Sequence, residues 1–263
     1  YSMGTPCVGQ TLYLYGSPNG ATYEWYGPKG FIGSMQNPVI PNVDLTDMGY
    51  YKLIVVDAKG CIDSAEVYIT IHPNPVALPV GDEVCVGDDI TILGGSFVDL
   101  ANGGGSVVGY TWTGPAGFTS HHQDTTFGPA TLAMDGVYNL TVTDEYGCIG
   151  SATATVIVHP LPMANAGADE NICFGDTVTL TASGGDTYEW NTGETTASID
   201  VWPTDTTTYW VTVTDWYMNG QLGCESIDTV VVNVRPLPLP FNLTRDGIYC
   251  FGCFGIPVHL DSS

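Results

Sequence analysis

Positive charge is what this sequence most lacks. Lys and Arg number 5 against 28 Asp and Glu, for a net charge of −23. Nothing here neutralises phosphate, so nucleic acid is excluded as a partner, and an anionic membrane surface is disfavoured on the same ground. Charged residues of both signs reach only 13%, well below the usual quarter. Long apolar runs are missing, so no segment reads as membrane-inserted, and no signal peptide is visible. No stretch sustains apolar spacing at three and four residues, which predicts few helices. Common catalytic motifs are missing as well: there is no Gly-x-Ser-x-Gly elbow, phosphate-binding loop or His-Glu-x-x-His. The reading is non-enzymatic.

What is present is internal repetition. Cys7-Val8-Gly9-Gln10-Thr11-Leu12-Tyr13-Leu14 recurs from Cys85 to Ile92, again from Cys173 to Leu180, and once more from Cys253 to Leu260. After each Gly, apolar and polar residues alternate, the mark of a half-buried strand. An aromatic strand follows at Tyr23-Glu24-Trp25, Tyr110-Thr111-Trp112 and Tyr188-Glu189-Trp190. In two copies it runs into Gly-Pro-x-Gly-Phe, at 27–31 and 114–118, which is turn chemistry with an apolar anchor. A further strand starts at Tyr51, Tyr138 and Tyr209 and leads through an Asp to Cys61, Cys148 and Cys224. Each copy closes on a proline joint: His72-Pro73-Asn74-Pro75, His159-Pro160-Leu161-Pro162 and Arg235-Pro236-Leu237-Pro238. Proline fixes φ and donates no backbone hydrogen bond, so these joints should be short and semi-rigid.

The repeats predict domains at 1–72, 73–159 and 160–235, with a further one beginning at 236–263. The first lacks the strand that should precede its opening Cys, so the chain reads as a segment of a longer protein. Short strands, a Trp on the third and a Tyr opening the sixth predict an all-β fold of tandem immunoglobulin-like sandwiches arranged as an extended rod. Asp47-Met48-Gly49-Tyr50-Tyr51 has the form of a tyrosine corner. The places that hold the inter-sheet disulfide of antibody domains are Leu53, Leu140 and Val211, facing Leu14, Ile92 and Leu180, so aliphatic packing is expected there.

The full pattern resembles the PKD-like and Ig-like repeats of very large Bacteroidota cell-surface proteins, above all the SprB-type gliding-motility adhesins exported by type 9 secretion. The resemblance covers nearly the whole chain. It implies an extracellular place on a bacterial surface and a stalk or filament role in attachment or gliding. It implies as partners neighbouring repeats of the same chain, surface polysaccharide or other filament subunits.

Eight Cys favour an oxidising compartment. Each repeat has one Cys before its second strand and one in the hairpin before its last strand, at opposite ends of a sandwich. A seven-residue strand spans roughly 23 Å, whereas disulfide Cα atoms lie about 4.4–6.8 Å apart. Bonds between neighbours are therefore expected, Cys7 with Cys148 and Cys85 with Cys224. Cys61 and Cys173 would then pair with repeats beyond. Intradomain bonds such as Cys7–Cys61 are the alternative. Cys250 and Cys253 form a Cys-x-x-Cys with no second half for a zinc site.

Other candidates are weaker. Calcium binds clustered carboxylates at turns; Asp44, Asp47, Asp88 and Asp89 are the candidate ligands, and calcium the one candidate cofactor. Trp216 and Tyr217, in an insertion unique to the third repeat, are candidate contacts for carbohydrate or protein. Asp-Ser/Thr-aliphatic and Asp-Thr-Thr sequences resemble the Bacteroidota O-glycosylation motif and mark Ser64, Thr125, Thr177, Thr206 and Thr229. His121-His122 is the one concentrated imidazole pair and reads as a loop tip. Beside the stalk reading stand a carbohydrate- or surface-binding module and a non-catalytic accessory array on a secreted enzyme.

Overall fold

The computed structural model describes residues 5–17 and 22–238. The chain forms two compact units, Tyr1–His159 and Pro160–Ser263. Among the described residues there is no α-helix, only short 3-10 turns such as Pro28–Gly30 and Leu45–Asp47. None of them is long and apolar enough to cross a membrane.

The first sandwich contains β1 (Leu12–Tyr13), β2 (Thr22–Tyr26), β3 (Ile32–Gly33), β4 (Val39–Ile40), β5 (Gly49–Val56) and β6 (Ile62–Ile69). The second contains β7 (Val76–Val80), β8 (Glu83–Cys85), β9 (Ile90–Phe97), β10 (Val107–Thr113), β11 (Thr119–Ser120), β12 (Thr125–Phe127), β13 (Gly136–Asp144) and β14 (Ile149–His159). The third contains β15 (Glu170–Cys173), β16 (Val178–Thr181), β17 (Thr187–Trp190), β18 (Ser198–Val201), β19 (Thr207–Tyr217) and β20 (Leu222–Arg235).

The second sandwich is the most complete. A sheet ordered β11-β10-β13-β14-β8 faces one ordered β12-β9-β7. This is the immunoglobulin-like arrangement, with the first edge strand split between both sheets. Its β7 half pairs antiparallel with β9, and its β8 half pairs parallel with β14. The first sandwich repeats the plan with β3-β2-β5-β6 and β1-β4, and the third with β15-β20-β19-β17 and β16-β18.

Each sandwich encloses its own core around one Trp and one Tyr: Trp25 and Tyr51, Trp112 and Tyr138, Trp190 and Tyr209. A buried indole N–H needs an acceptor. Trp25 donates to the Met35 carbonyl, Trp112 to Gln123 and Trp190 to Thr196. The tyrosine corner is real: Tyr51 donates to the Asp47 carbonyl at 3.0 Å and Tyr138 to Met134 at 2.9 Å. These rings also explain the Gly-Pro-x-Gly-Phe turn. A Cβ on Gly27 would lie 2.5 Å from the Tyr51 ring, and one on Gly114 would lie 2.4 Å from the Tyr138 ring. The positions of the antibody disulfide are filled by buried Leu14, Leu53, Ile92, Leu140, Leu180 and Val211.

Candidate functional site at the repeat joint

Two local devices place the cysteines. In the first, the Cys-x-Gly-Gln/Asp sequence is a tight turn. The fourth residue's N–H donates to the Cys carbonyl in all three copies, from Gln10 to Cys7, Asp88 to Cys85 and Asp176 to Cys173. The Gly sits at positive φ, +86° for Gly9, +101° for Gly87 and +93° for Gly175, as a type II turn requires. The fourth side chain then turns back to accept from the Cys N–H: Gln10 from Cys7, Asp88 from Cys85, Asp176 from Cys173. The opening Cys is thereby held beside the last residue of its repeat. Cys7 bridges to His72, Cys85 pairs with His159 and Cys173 with Arg235.

The second device is the hairpin before the last strand. Asp57 Oδ1 accepts from Lys59 and Cys61 N–H, and Asp144 Oδ1 accepts from Tyr146 and Cys148 N–H. The carboxylate fixes the turn and the Cys with it. Asp144 is almost wholly buried, and its other oxygen has no hydrogen-bond partner.

These devices meet where the first sandwich passes into the second. Cys7 and Cys148 form a disulfide with Cα atoms 5.5 Å apart and a sequence separation of 141. Beside it the His72 ring stacks on Tyr146, and its Nδ1–H donates to the Gly103 carbonyl at 2.7 Å. Asn74, in the proline joint, donates to the Val8 carbonyl. A Cβ on Gly150 would stand 1.7 Å from the Pro75 carbonyl, so the joint lies directly on β14 there. A covalent bond, a ring stack and two hydrogen bonds converge on one inter-sandwich contact.

Cys85 and Cys224 are buried and are not free thiols. Cys61 is an exposed thiol and Cys173 a half-buried one. Cys250, Cys253 and nearly all of 236–263 lie outside the described residues.

The remaining candidates do not converge. Asp44 and Asp47 both bind the Lys29 ammonium at 2.8 Å. Hydrogen bonds from Lys29, the Thr46 hydroxyl and the Thr46 N–H, in that order, lower Asp44 to about 2. Lysine, rather than open space for a cation, occupies the ground between these carboxylates. Asp88 and Asp89 belong to the second sandwich's opening turn, and no group of three metal-ligating side chains forms among the described residues. His122 and His121 are exposed, the latter near the Thr111 hydroxyl. Ser64, Thr177, Thr206 and Thr229 are exposed. Thr125 is half-buried with its hydroxyl on Ser120. Trp216 is exposed at the end of β19, its indole N–H on the Thr187 hydroxyl, and Tyr217 is half-buried.

Sequence reasoning missed the His72–Tyr146 stack and the Lys29 pair. The second had a signal. Lys29, Asp44 and Asp47 of the first repeat stand where the second has Ala116, Thr131 and Met134, so the charges change as a set.

No protein-family model matches the chain, and no curated protein sequence matches it. Solved tandem immunoglobulin-type structures are similar to it. One is the three N-terminal domains of the bacteriophage RB49 highly immunogenic outer capsid protein (Hoc), with 15% identity over 88% of this chain and 96% of that one, at a TM-score of 0.43. Another is the N-terminal eight Ig domains of Down syndrome cell adhesion molecule, with 14% identity over 89% of this chain and 35% of that one, at a TM-score of 0.35. A third is Sidekick-1 immunoglobulin domains 1–4, with 14% identity over 88% and 73%, at a TM-score of 0.33.

Proposed function

We propose that this chain is a stalk segment of a large exported bacterial cell-surface adhesin, serving attachment or gliding without catalysis. The observation that carries this reading is the Cys7–Cys148 bond, which joins two consecutive sandwiches across their joint. The core positions where antibody domains place their disulfide are aliphatic, so the covalent link serves the array rather than the domain. By repeat equivalence, Cys85 takes the role of Cys7 and Cys224 that of Cys148. The domain limits 1–72, 73–159, 160–235 and 236–263 follow from the same register. In a rod of this kind Cys61 and Cys173 meet the next repeats outward, and exposed Ser64, Thr177, Thr206 and Thr229 carry O-linked sugar. The strong acidic charge keeps neighbouring rods apart in solution.

Non-reducing peptide mapping tests the array. Recovery of Cys85 linked to Cys224 supports it, and Cys85 linked to Cys148 defeats it. In-frame deletion of the segment from the source cell, followed by a surface-attachment assay under flow, tests the biological role. Unchanged attachment defeats that part alone. A second reading rests on Trp216, whose ring is exposed yet pinned by Thr187 and by the bond from its N–H to Asp186. Held this way, it suits stacking on a sugar, and glycan binding lost in Trp216→Ala would favour a carbohydrate-binding module.

A further inference from the structure

The third sandwich has a longer hairpin between its last two strands. From Asp215 to Cys224 it holds five residues more than the equivalent stretch from Asp144 to Cys148. In the first two sandwiches the glycine before the hairpin Cys is a turn residue, at φ +86° for Gly60 and +80° for Gly147. In the third the added residues carry the turn outward, to Met218, Asn219 and Gly220 at positive φ. Gly223 thereby becomes a strand residue, paired directly opposite Trp216. Its missing side chain makes room for the indole: a Cβ on Gly223 would lie 3.0 Å from the ring. On the other side of β19 the indole N–H donates to the Thr187 hydroxyl of β17. The ring therefore lies across β19, between its two neighbours in the sheet. Thr214 beneath it is only 7% exposed, although its place in the alternation faces solvent. Trp216 itself keeps 45% of its surface, so one ring face rests on the sheet and the other is open.

A second ring stands on the same face. Trp210 belongs to the same outward series of β19 and keeps 46% of its surface. Six residues at roughly 3.3 Å each root the two side chains about 20 Å apart, too far for one sugar ring to touch both. Between them lie Thr212 with Ile227 opposite, and the exposed carboxylates of Glu189 and Glu225 on the flanking strands. The repeat does not require either Trp. Their places hold Asn139 and Glu145 in the second sandwich, and Lys52 and Ala58 in the first. The third core closes around Trp190 and Tyr209 without them.

We propose that this outer sheet face is a binding platform for an extended chain of neutral, β-linked sugars, stacked on both Trp210 and Trp216. The proposal rests on the carbohydrate reading of Trp216 above and gives it a ligand class and a second ring. The indole N–H is the only hydrogen-bonding group of a Trp side chain, and in Trp216 it is committed to Thr187. That ring therefore offers a partner its π face alone. A β-linked pyranose suits it, because its C–H bonds point to its faces and its hydroxyls lie around its rim. The rim hydroxyls donate to Glu189, Glu225 and Thr212 between the rings. The same carboxylates, within a net charge of −23, repel uronic-acid and sulfated chains. A protein partner would call for one contiguous apolar patch, whereas hydroxyl and carboxylate groups separate these two rings.

The test is affinity electrophoresis of the full chain in gels cast with hydroxyethylcellulose, glucomannan, arabinoxylan or laminarin, with alginate as the acidic control. At least one neutral polymer should retard the chain, and alginate should not. In calorimetric titration a six-sugar fragment of the retarding polymer should bind more tightly than its two-sugar fragment. Trp210→Ala and Trp216→Ala should each weaken binding by about fivefold to tenfold, the range of an aromatic stacking contact. Gly223→Ala keeps both rings but displaces the Trp216 indole, and should weaken binding as well. Trp210→Ala removes an exposed ring from outside the core, so it reads the platform in a folded protein. The proposal is overturned if no neutral polymer retards the chain, if alginate retards it as strongly, or if Trp210→Ala binds as well as its parent. Self-association of the chain that is lost in Trp216→Ala would also overturn it, by giving the face to a second copy. Glycan binding that falls in Trp216→Ala but not in Trp210→Ala removes the two-ring platform and keeps the carbohydrate reading. Absence of all glycan binding removes both and leaves the stalk standing.

Discussion

His72 lies flat against Tyr146, ring centroids 3.7 Å apart and planes within 15°. The imidazole is buried, and its Nδ1–H is used on the Gly103 carbonyl. A stacked ring pair contributes about 0.5–1.5 kcal/mol beyond its burial. Tyr146→Ala should therefore lower unfolding free energy by about 1–2 kcal/mol in urea, whereas Tyr146→Phe should be nearly silent. A Tyr146→Ala protein as stable as its parent would remove the stack from the joint's energetics.

The disulfide beside that stack closes a span of 141 residues. Bridging a loop this long is worth up to about 5 kcal/mol on chain-entropy grounds, and removal of native bridges typically costs about 2–5. Replacing Cys7 and Cys148 by Ser should destabilise within that range. Trp25 and Trp112 sit in separate cores, and both donate to carbonyls of their own sandwich. Their native fluorescence should thus survive in the double variant while amides around Val8 and Cys148 exchange faster. Loss of the native tryptophan signal without denaturant would mean that the bridge supports the cores themselves.

The repeat period, the strands and the core Trp–Tyr pairs were legible because each rests on local alternation and recurs three times. The cysteine placement was legible for a related reason: turn chemistry lies within four or five residues. The close approach of Pro75 to Gly150 was not, since no sequence rule says which strand passes over a glycine. Asp44 and Asp47 read as calcium candidates because carboxylates at a turn look alike until their neighbour is known. That neighbour is Lys29, placed by a turn fifteen residues earlier.

The tyrosine corner gives a pH signature. Burial, reinforced by the Asp47 carboxylate and opposed by Lys29, pushes the Tyr51 hydroxyl up to about 12. The folded state holds this proton more tightly than the unfolded chain, whose tyrosines ionise near 10. The stabilisation is thus complete below pH 10 and is lost as pH rises towards 12. Tyr138 and Tyr209 are raised too, chiefly by burial. Tyr51→Phe should cost about 1 kcal/mol at neutral pH, the worth of one hydrogen bond. It should also flatten, without abolishing, the fall in melting temperature between pH 10 and 12. An unchanged alkaline slope would show that Tyr51 ionises normally.

Lys29 supplies the last test. It bridges Asp44 and the buried Asp47, and Asp47 also accepts from the Asp44 N–H in a capping box. Removing the cation alone leaves Asp47 buried without its counter-charge, the costly way to break a pair. Lys29→Ala should therefore destabilise the first sandwich and let the Asp44 carboxyl return towards its ordinary value. Its depressed ionisation contributes stability above about pH 4 that is lost as pH falls through about 2, so the fall in stability between about pH 4 and 2 should flatten in the variant. The second sandwich fills the same three places with Ala116, Thr131 and Met134 and no charge. Adding Asp44→Thr and Asp47→Met to Lys29→Ala transplants that neutral set and should recover most of the loss, with carbon-13 carboxyl titration and urea melts as the readouts. A triple variant weaker than Lys29→Ala would show that the carboxylates stabilise the turn through their caps rather than through the lysine.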